Sequence, residues 1–125
     1  IVSNMLDASF PKNEKLYGKY AINHLYKDGK RFTVWPMRIT LLSVADSCTR
    51  VLIWAPKALF RRAVHRNHLR RLMREAYRLN KHILPSTKQY HIAFNYLDKE
   101  RQSMSVIEKA MRKALKKIAN YEKLD

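Results

Sequence analysis

Apolar residues along this 125-residue chain repeat with two different spacings, one typical of helices and one typical of strands. The helical spacing occurs in residues 13–28, 59–84 and 105–121, and each of these segments predicts an amphipathic helix with one apolar face. Apolar and polar residues alternate in residues 31–43 and 90–96, which predicts half-buried strands. The chain is therefore predicted to combine three helices with a small sheet.

Turn-forming residues divide the part of the chain that has strand character. Pro36 cannot donate a ladder hydrogen bond, so it forces an edge, a bulge or a turn within residues 31–43. Residues 45–49 are polar and predict a hairpin loop, and residues 51–54 predict the returning strand. The order is then helix, two or three strands, helix, strand, helix, which predicts an α+β domain with one sheet packed by helices.

Two helix ends carry local signals. Gly29 follows the first helix at the position where a residue with left-handed backbone often ends a helix. Ser105, followed three residues later by Glu108, predicts a capping box at the start of the last helix. No internal repeat or linker separates the helices and strands, so residues 1–125 are predicted to form a single small domain, with residues 1–10 a candidate flexible N-terminal segment.

Net charge adds a strong functional constraint. The chain has 26 Lys and Arg residues against 10 Asp and Glu residues, a formal net charge of +16. Self-repulsion of this size opposes compaction unless a polyanion neutralises it, so nucleic acid is the leading partner.

The single cysteine, Cys48, cannot form an internal disulfide, and no run of about 18 apolar residues predicts a membrane span. A cytoplasmic location is expected, with no membrane partner.

The central helix separates apolar from cationic side chains. On a wheel of about 100° per residue, one set of apolar residues falls within about 50° of a single direction and forms the predicted core stripe. That stripe is Leu69, Leu72, Met73, Ala76 and Ile83. Polar and basic residues fall about 100° to 200° away. They are Asn67, Arg70, Arg71, Arg74, Arg78 and Lys81.

One sign of charge dominates this region. Between residues 57 and 82 the only acid is Glu75, although a face charged merely for solubility normally mixes both signs at positions i and i+4. An RNA backbone would remove the repulsion, and the planar fork of arginine can hold two phosphate oxygens or stack on a base. A solvated basic face, with Asn67 an ordinary polar residue, is the simpler alternative.

These residues also carry a family resemblance. The run FRRAVHRNHLRRLMREAYR, residues 60–78, follows Pro56 and Lys57 and closely resembles the signature of the bacterial ribonuclease P protein. The resemblance extends over most of the chain, from the first helix to the final basic helix. It implies the order α-β-β-β-α-β-α, in which the signature helix makes a left-handed crossover between two parallel strands, against the usual rule.

The resemblance also implies a function. The chain would be the protein subunit of ribonuclease P, binding the catalytic RNA and the 5′ leader of precursor tRNA and assisting removal of the leader. No catalytic residue is expected in the protein itself. The holoenzyme would require Mg²⁺ held mainly by RNA, with no metal bound by the protein and no small-molecule substrate. A ribosomal-protein-like RNA-binding protein or RNA chaperone, with no role in tRNA cleavage, is the alternative.

Site residues follow position by position from the resemblance. The predicted RNA-subunit contacts are Lys57, Arg61, Arg62, Arg66, Asn67, His68, Arg70, Arg71, Arg74 and Arg78. The predicted leader cleft consists of Ile22, Tyr26, Phe32 and Trp35. Two positions depart from the family pattern, since His68 stands where an arginine is usual and Ile22 where a cleft aromatic is common. The aromatic residues of the cleft are individually as compatible with a place in the core.

Catalysis by the protein alone is not supported by its residues. A protein nuclease would need grouped carboxylates or an acid–base pair in one cleft, but the acids are scattered along the chain. Asp98 and Glu100 are near in sequence and fit a solvated turn. His65 and His68, three residues apart on a helix, could both reach a metal, but they lack acidic or cysteine neighbours.

Overall fold

The computed structural model describes residues 11–121. These residues form three helices and four strands in the order predicted. The elements are α1 (Lys19–Asp28), β1 (Lys30–Val34), β2 (Met37–Val44), β3 (Arg50–Trp54), α2 (Ala63–Asn80), β4 (Gln89–Tyr96) and α3 (Met104–Ala119). Short 3-10 turns, Lys12–Glu14 and Lys81–Ile83, precede α1 and follow α2. The prediction for residues 1–10 lies outside the described residues.

One mixed sheet organises the fold. Its strand order is β1-β2-β4-β3, with β1 antiparallel to β2, β2 antiparallel to β4, and β3 parallel to β4. Pro36 lies in the turn between β1 and β2, as one of the predicted options allowed. Helix α2 connects β3 to its parallel neighbour β4, which confirms the crossover; its left-handed sense stays a prediction.

The two faces of the sheet are covered unequally. One face carries the main core, where α2 and α3 pack side by side over residues such as Ile39, Ile92 and Phe94, all fully buried. Within residues 11–121, α1 is the helix that packs on the opposite face, together with Leu16 from the segment before it, and Leu25 and Ala93 are fully buried there. Because one short helix cannot cover four strands, exposed side chains remain on this second face, and one part of the candidate site lies there.

The start of α1 differs from the prediction. The helix begins at Lys19 rather than at residue 13, because Gly18 has a φ of 98°, a backbone conformation outside the helical region. The preceding residues are extended: the Leu16 amide donates to the Val51 carbonyl at 2.9 Å, and Lys15 bridges to Val51 in parallel. Apolar spacing over residues 13–17 thus belongs to a segment that lies along the edge of β3.

Gly29 ends α1 for a different reason from the one predicted. Its φ is −73°, so no left-handed residue is required there. A Cβ at this position would lie 2.4 Å from the Leu25 carbonyl oxygen and 2.9 Å from Cγ2 of Thr40. The glycine therefore allows close approach of the end of α1 to β2.

Substitution Gly29→Ala is expected to lower the free energy of unfolding by about 1–3 kcal/mol, because the added methyl group meets backbone that cannot move aside easily. Urea denaturation followed by circular dichroism measures the change. Gly18→Ala is the comparison variant, because it tests backbone conformation and not close approach. A Cβ at residue 18 would meet nothing within 4 Å, so only the positive φ of Gly18 opposes that substitution. An unchanged midpoint for Gly29→Ala would contradict the close-approach role.

The other two helices also begin away from their predicted starts. Helix α2 starts at Ala63, because residues 56–60 form a turn in which the Leu59 and Phe60 amides donate to the Pro56 carbonyl. Helix α3 starts at Met104, where the Ser103 hydroxyl accepts from the Val106 amide at 3.4 Å. The predicted capping box at Ser105 is therefore wrong, since the actual cap lies two residues earlier. Within the described part of the chain, no helix is long and apolar enough to span a bilayer.

Candidate RNA-binding surface

Packing of α2 against the sheet fixes which of its sides faces solvent. Leu69, Met73 and Ala76 are fully buried, as the wheel predicted. Tyr77 and Asn80 complete the buried stripe, whereas Leu72 is only partly buried and Ile83 lies beyond the end of the helix. The Asn80 side chain is satisfied by donating to the Ala76 carbonyl. The opposite side of α2 is free to carry charge.

The predicted RNA-subunit residues divide into exposed and partly buried groups. Those classed as exposed are Lys57, Arg61, Arg62, Asn67, His68, Arg71 and Arg74. Arg66, Arg70 and Arg78 are half-buried and have partners within the protein. Among the described residues, no carboxylate pairs with Arg71 or Arg74.

Arg66 has a structural role that the motif alone did not reveal. Its Nη1 donates to the carbonyls of Phe60 and Arg61, both at 2.8 Å, and so ties the turn before α2 to the helix. Arg78 pairs with Glu75, and hydrogen bonding to that guanidinium lowers the pKa of the Glu75 carboxyl. Lys81, predicted on the cationic side, pairs with Glu14 at 3.1 Å.

The other predicted arginines of α2 that line a groove lie next to β3. The residues that line a groove between β3 and α2 include Trp54 and four residues of α2. We call these four α2 residues the arginine face. The arginine face is Asn67, Arg70, Arg71 and Arg74. Arg70 donates to the Asn67 amide oxygen, which holds both side chains in a fixed relation.

The open face of the sheet supplies a second set of groups. Strand register aligns four residues in one line across all four strands, and we call this line the polar row. The polar row is Thr33, Arg38, Asn95 and Trp54. The next line of residues includes Thr40 and Ala93, which are buried, so α1 covers that line and leaves the polar row open.

Tyr26 connects α1 to the polar row. Its hydroxyl donates to the Asn95 side-chain oxygen at 3.1 Å, and its own carbonyl accepts from Arg31 at 2.5 Å. The ring is half-buried and stands at the border of the open surface. Tyr26 therefore combines the stacking surface of an aromatic ring with a fixed position beside a polar floor.

Trp54 joins the polar row to the arginine face. The indole is 46% exposed, and the Arg70 guanidinium carbon lies 5.6 Å from its ring centroid, within cation–π range. Trp54 is not among the site residues predicted from the sequence. The signal available was a tryptophan at the end of a strand, which only the sheet register could place on the open face.

The other three predicted cleft residues lie at different places in the fold. Ile22 packs against the small cluster of Leu16, Leu25 and Ala93. Phe32 lies on the other face of the sheet, packed on the main core with the Lys117 ammonium 4.8 Å above its ring, because strand residues alternate between faces. Trp35 lies in the β1–β2 turn and is 56% exposed.

His65 and His68 lie in a different part of the molecule from His91, which pairs with a carboxylate. His65 and His68 share a shallow groove with residues 99–103, and partial burial, aided by the charge of Arg101, lowers the pKa of His65. Arg50 donates to the Asp46 carboxylate at 2.8 Å and His91 contacts the same carboxylate at 2.9 Å, and these two contacts strongly lower the pKa of Asp46. Over residues 11–121, no three His, Cys, Asp or Glu side chains form a group that could hold a metal ion.

The fold and this surface define a class of protein. The structure is similar to that of the ribonuclease P protein from Thermotoga maritima, with a TM-score of 0.72 and 23% identity, over 83% of this chain and 96% of that one. It is also similar to a Staphylococcus aureus ribonuclease P protein mutant, with a TM-score of 0.73 and 17% identity, over 95% of each chain. At these identities the likeness establishes the fold, that of a small α+β ribonuclease P protein.

Sequence comparison identifies the family. The family model for ribonuclease P matches residues 10–119. The chain is 39% identical over 116 residues to the ribonuclease P protein component of Porphyromonas gingivalis, covering 86% of this chain and 85% of that protein. It is 37% identical over 82 residues to the corresponding protein of Chlorobaculum tepidum, covering 61% of this chain and 53% of that one. The chain belongs to the ribonuclease P protein family.

Membership confirms the interpretation drawn from residues 60–78. The chain is the non-catalytic protein subunit of an RNA-based endoribonuclease that processes the 5′ end of tRNA. The ribosomal-protein or chaperone alternative is not favoured.

Proposed function

We propose that this subunit binds ribonuclease P RNA through the arginine face and the 5′ leader of precursor tRNA along the polar row. The observation that carries this proposal is the contact between Trp54 and Arg70, because it makes the two surfaces continuous. A leader that leaves the polar row would reach the arginine face directly. The protein would then hold substrate and catalytic RNA in a fixed relation.

The chemistry of each surface suits its proposed RNA. Arg71 and Arg74 are exposed cations without carboxylate partners in the described chain, so they can donate to phosphate oxygens without first breaking an ion pair. Asn67 offers both a donor and an acceptor to a base edge or a ribose hydroxyl. Such groups favour a folded RNA with a defined shape over diffuse attraction.

Leader binding on the polar row would be tolerant of sequence. Trp54 and Tyr26 offer aromatic surfaces on which any base can stack, and each stack is typically worth about 1–3 kcal/mol. Arg38 lies exposed in the same row, where it can contact the leader backbone. A surface of this kind binds single-stranded RNA without requiring a particular leader, which suits a subunit that meets many precursor tRNAs.

Charge neutralisation is the proposed route to faster cleavage. The excess positive charge of +16 lowers repulsion between the phosphates of the two RNAs. Mg²⁺ would be held mainly by the RNA, and the protein would reduce the concentration of Mg²⁺ that the holoenzyme needs. The compartment proposed for this activity is the bacterial cytoplasm.

Reconstitution tests the proposal. The purified chain is added to bacterial ribonuclease P RNA at a Mg²⁺ concentration too low for the RNA alone, and release of the 5′ leader is followed on a gel. We expect leader release only when both components are present. No stimulation, together with tight binding to ribosomal RNA, would instead support the ribosomal alternative.

A further inference from the structure

We propose that the outer side of α3 is a second RNA-binding surface, which contacts the phosphate backbone of double-helical RNA. This inference goes beyond the arginine face and the polar row, and it rests on the proposed function only in taking RNA as the partner. The side chains concerned are all exposed, and we call them the lysine face. The lysine face is Lys109, Arg112, Lys113, Lys116 and Lys117.

Charge on this side of α3 is almost entirely of one sign. Lys109 and Lys113 are four residues apart, as are Arg112 and Lys116, so like charges face each other along the helix. Glu108 is the only acid in α3, and it pairs with Arg112 at 2.7 Å. The C-terminal helix dipole favours Lys116 and Lys117 in the last turn. That dipole does not account for the cations in the middle of the helix.

Helix α1 shows that the rest of the surface does not follow this pattern. Its solvent side mixes signs and residue types: His24 pairs with Asp28 at 3.1 Å, and Tyr20 packs beside His24. Exposed helix positions in this chain are therefore not uniformly basic. The lysine face is a local accumulation of charge that a polyanion would neutralise.

The side chains of the lysine face indicate which polyanion fits. Four of its five cations are lysines, which act as point charges and suit a phosphate backbone rather than base recognition. Large exposed apolar side chains within the described chain occur at other places, such as Tyr17, Trp35 and Leu79, and none lies on α3. Without an aromatic ring for stacking or an apolar residue for insertion, a single-stranded RNA or a lipid surface would gain little there.

Position separates the lysine face from the arginine face. Helix α3 contacts β1 and β2, with Lys117 above the β1 residue Phe32, whereas the arginine face borders β3. β1 and β3 are the two edges of a four-stranded sheet, about 14 Å apart at usual strand spacing. The two cationic surfaces thus lie toward opposite edges of the sheet and can be removed by separate substitutions.

Salt-dependent binding tests the lysine face. The variant Lys109→Gln/Lys113→Gln/Lys116→Gln is compared with Lys12→Gln/Lys19→Gln/Lys27→Gln, which removes the same charge from other exposed positions. Both are titrated with a 20-base-pair RNA duplex of unrelated sequence, in an Arg70→Gln/Arg74→Gln background that silences the arginine face. We expect the α3 variant to bind at least fivefold more weakly than the control, with the slope of log K against log salt lowered by about 2.

Further binding measurements identify which RNA supplies the duplex, and some of their outcomes would overturn the inference. Weaker binding to ribonuclease P RNA alone assigns the contact to a helix of that RNA; weaker binding of precursor tRNA by the assembled holoenzyme assigns it to the tRNA stem. Equal losses in the α3 variant and the control would show a net-charge effect and overturn the proposal. A loss confined to vesicles of anionic lipid would overturn it in favour of a membrane. Leader release by the parent chain is measured in parallel, so failure of the proposed function is seen separately.

Discussion

Replacing Arg70 and Arg74 together by glutamine is expected to weaken binding to ribonuclease P RNA by at least tenfold. A hydrogen bond that involves a charged group is worth about 1.5–3 kcal/mol, and this variant removes two guanidinium forks from the centre of the arginine face. The slope of log K against log salt should fall by about 2, since each phosphate contact that is lost lowers it by about 1. Filter binding at several salt concentrations measures both quantities.

Matched variants distinguish charge from geometry. Arg70→Lys/Arg74→Lys keeps both charges but loses the planar forks, so we expect weaker binding with a nearly unchanged salt slope. Lys12→Gln/Lys27→Gln removes two exposed charges away from the arginine face and should change affinity little. Parental affinity and slope for the double glutamine variant would contradict the assignment of the RNA subunit to the arginine face.

Replacing Trp54 by alanine is expected to weaken binding of leader-bearing precursor tRNA to the holoenzyme by about 5- to 150-fold, the loss of one base stack. The loss should be larger for precursor tRNA that has a leader than for leader-free tRNA or for the RNA subunit, because the indole lies in the polar row and contacts the arginine face only through Arg70. Competition between precursor and mature tRNA measures this selectivity. Trp54→Phe retains a smaller ring and should recover part of the affinity.

Tyr20 provides the control for this prediction. It is an aromatic residue 85% exposed on α1, but it packs beside His24 and is not part of the polar row. Tyr20→Ala should leave leader binding near the parental value. If Trp54→Ala instead weakened assembly with the RNA subunit and leader-free tRNA to the same degree, the indole would act only by supporting Arg70.

The sequence by itself determined the element order, the arginine-rich side of α2 and the family. Helical periodicity is local, so the spacing of Leu69, Met73 and Ala76 sufficed to place Arg70 and Arg74 on the solvent side. The signature run of residues 60–78 is also contiguous, so it could be recognised before any fold was known.

Tertiary structure decided which side chains share the open face of the sheet. Trp54 and Asn95 are 41 positions apart in the chain and become neighbours only through the parallel register of β3 and β4. The same alternation of strand residues places Phe32 on the core face, away from Tyr26. Strand register depends on the packing of residues that are distant in the chain, and the spacing of residues within one strand does not encode it. The polar row therefore exists only because the four strands pair in this register.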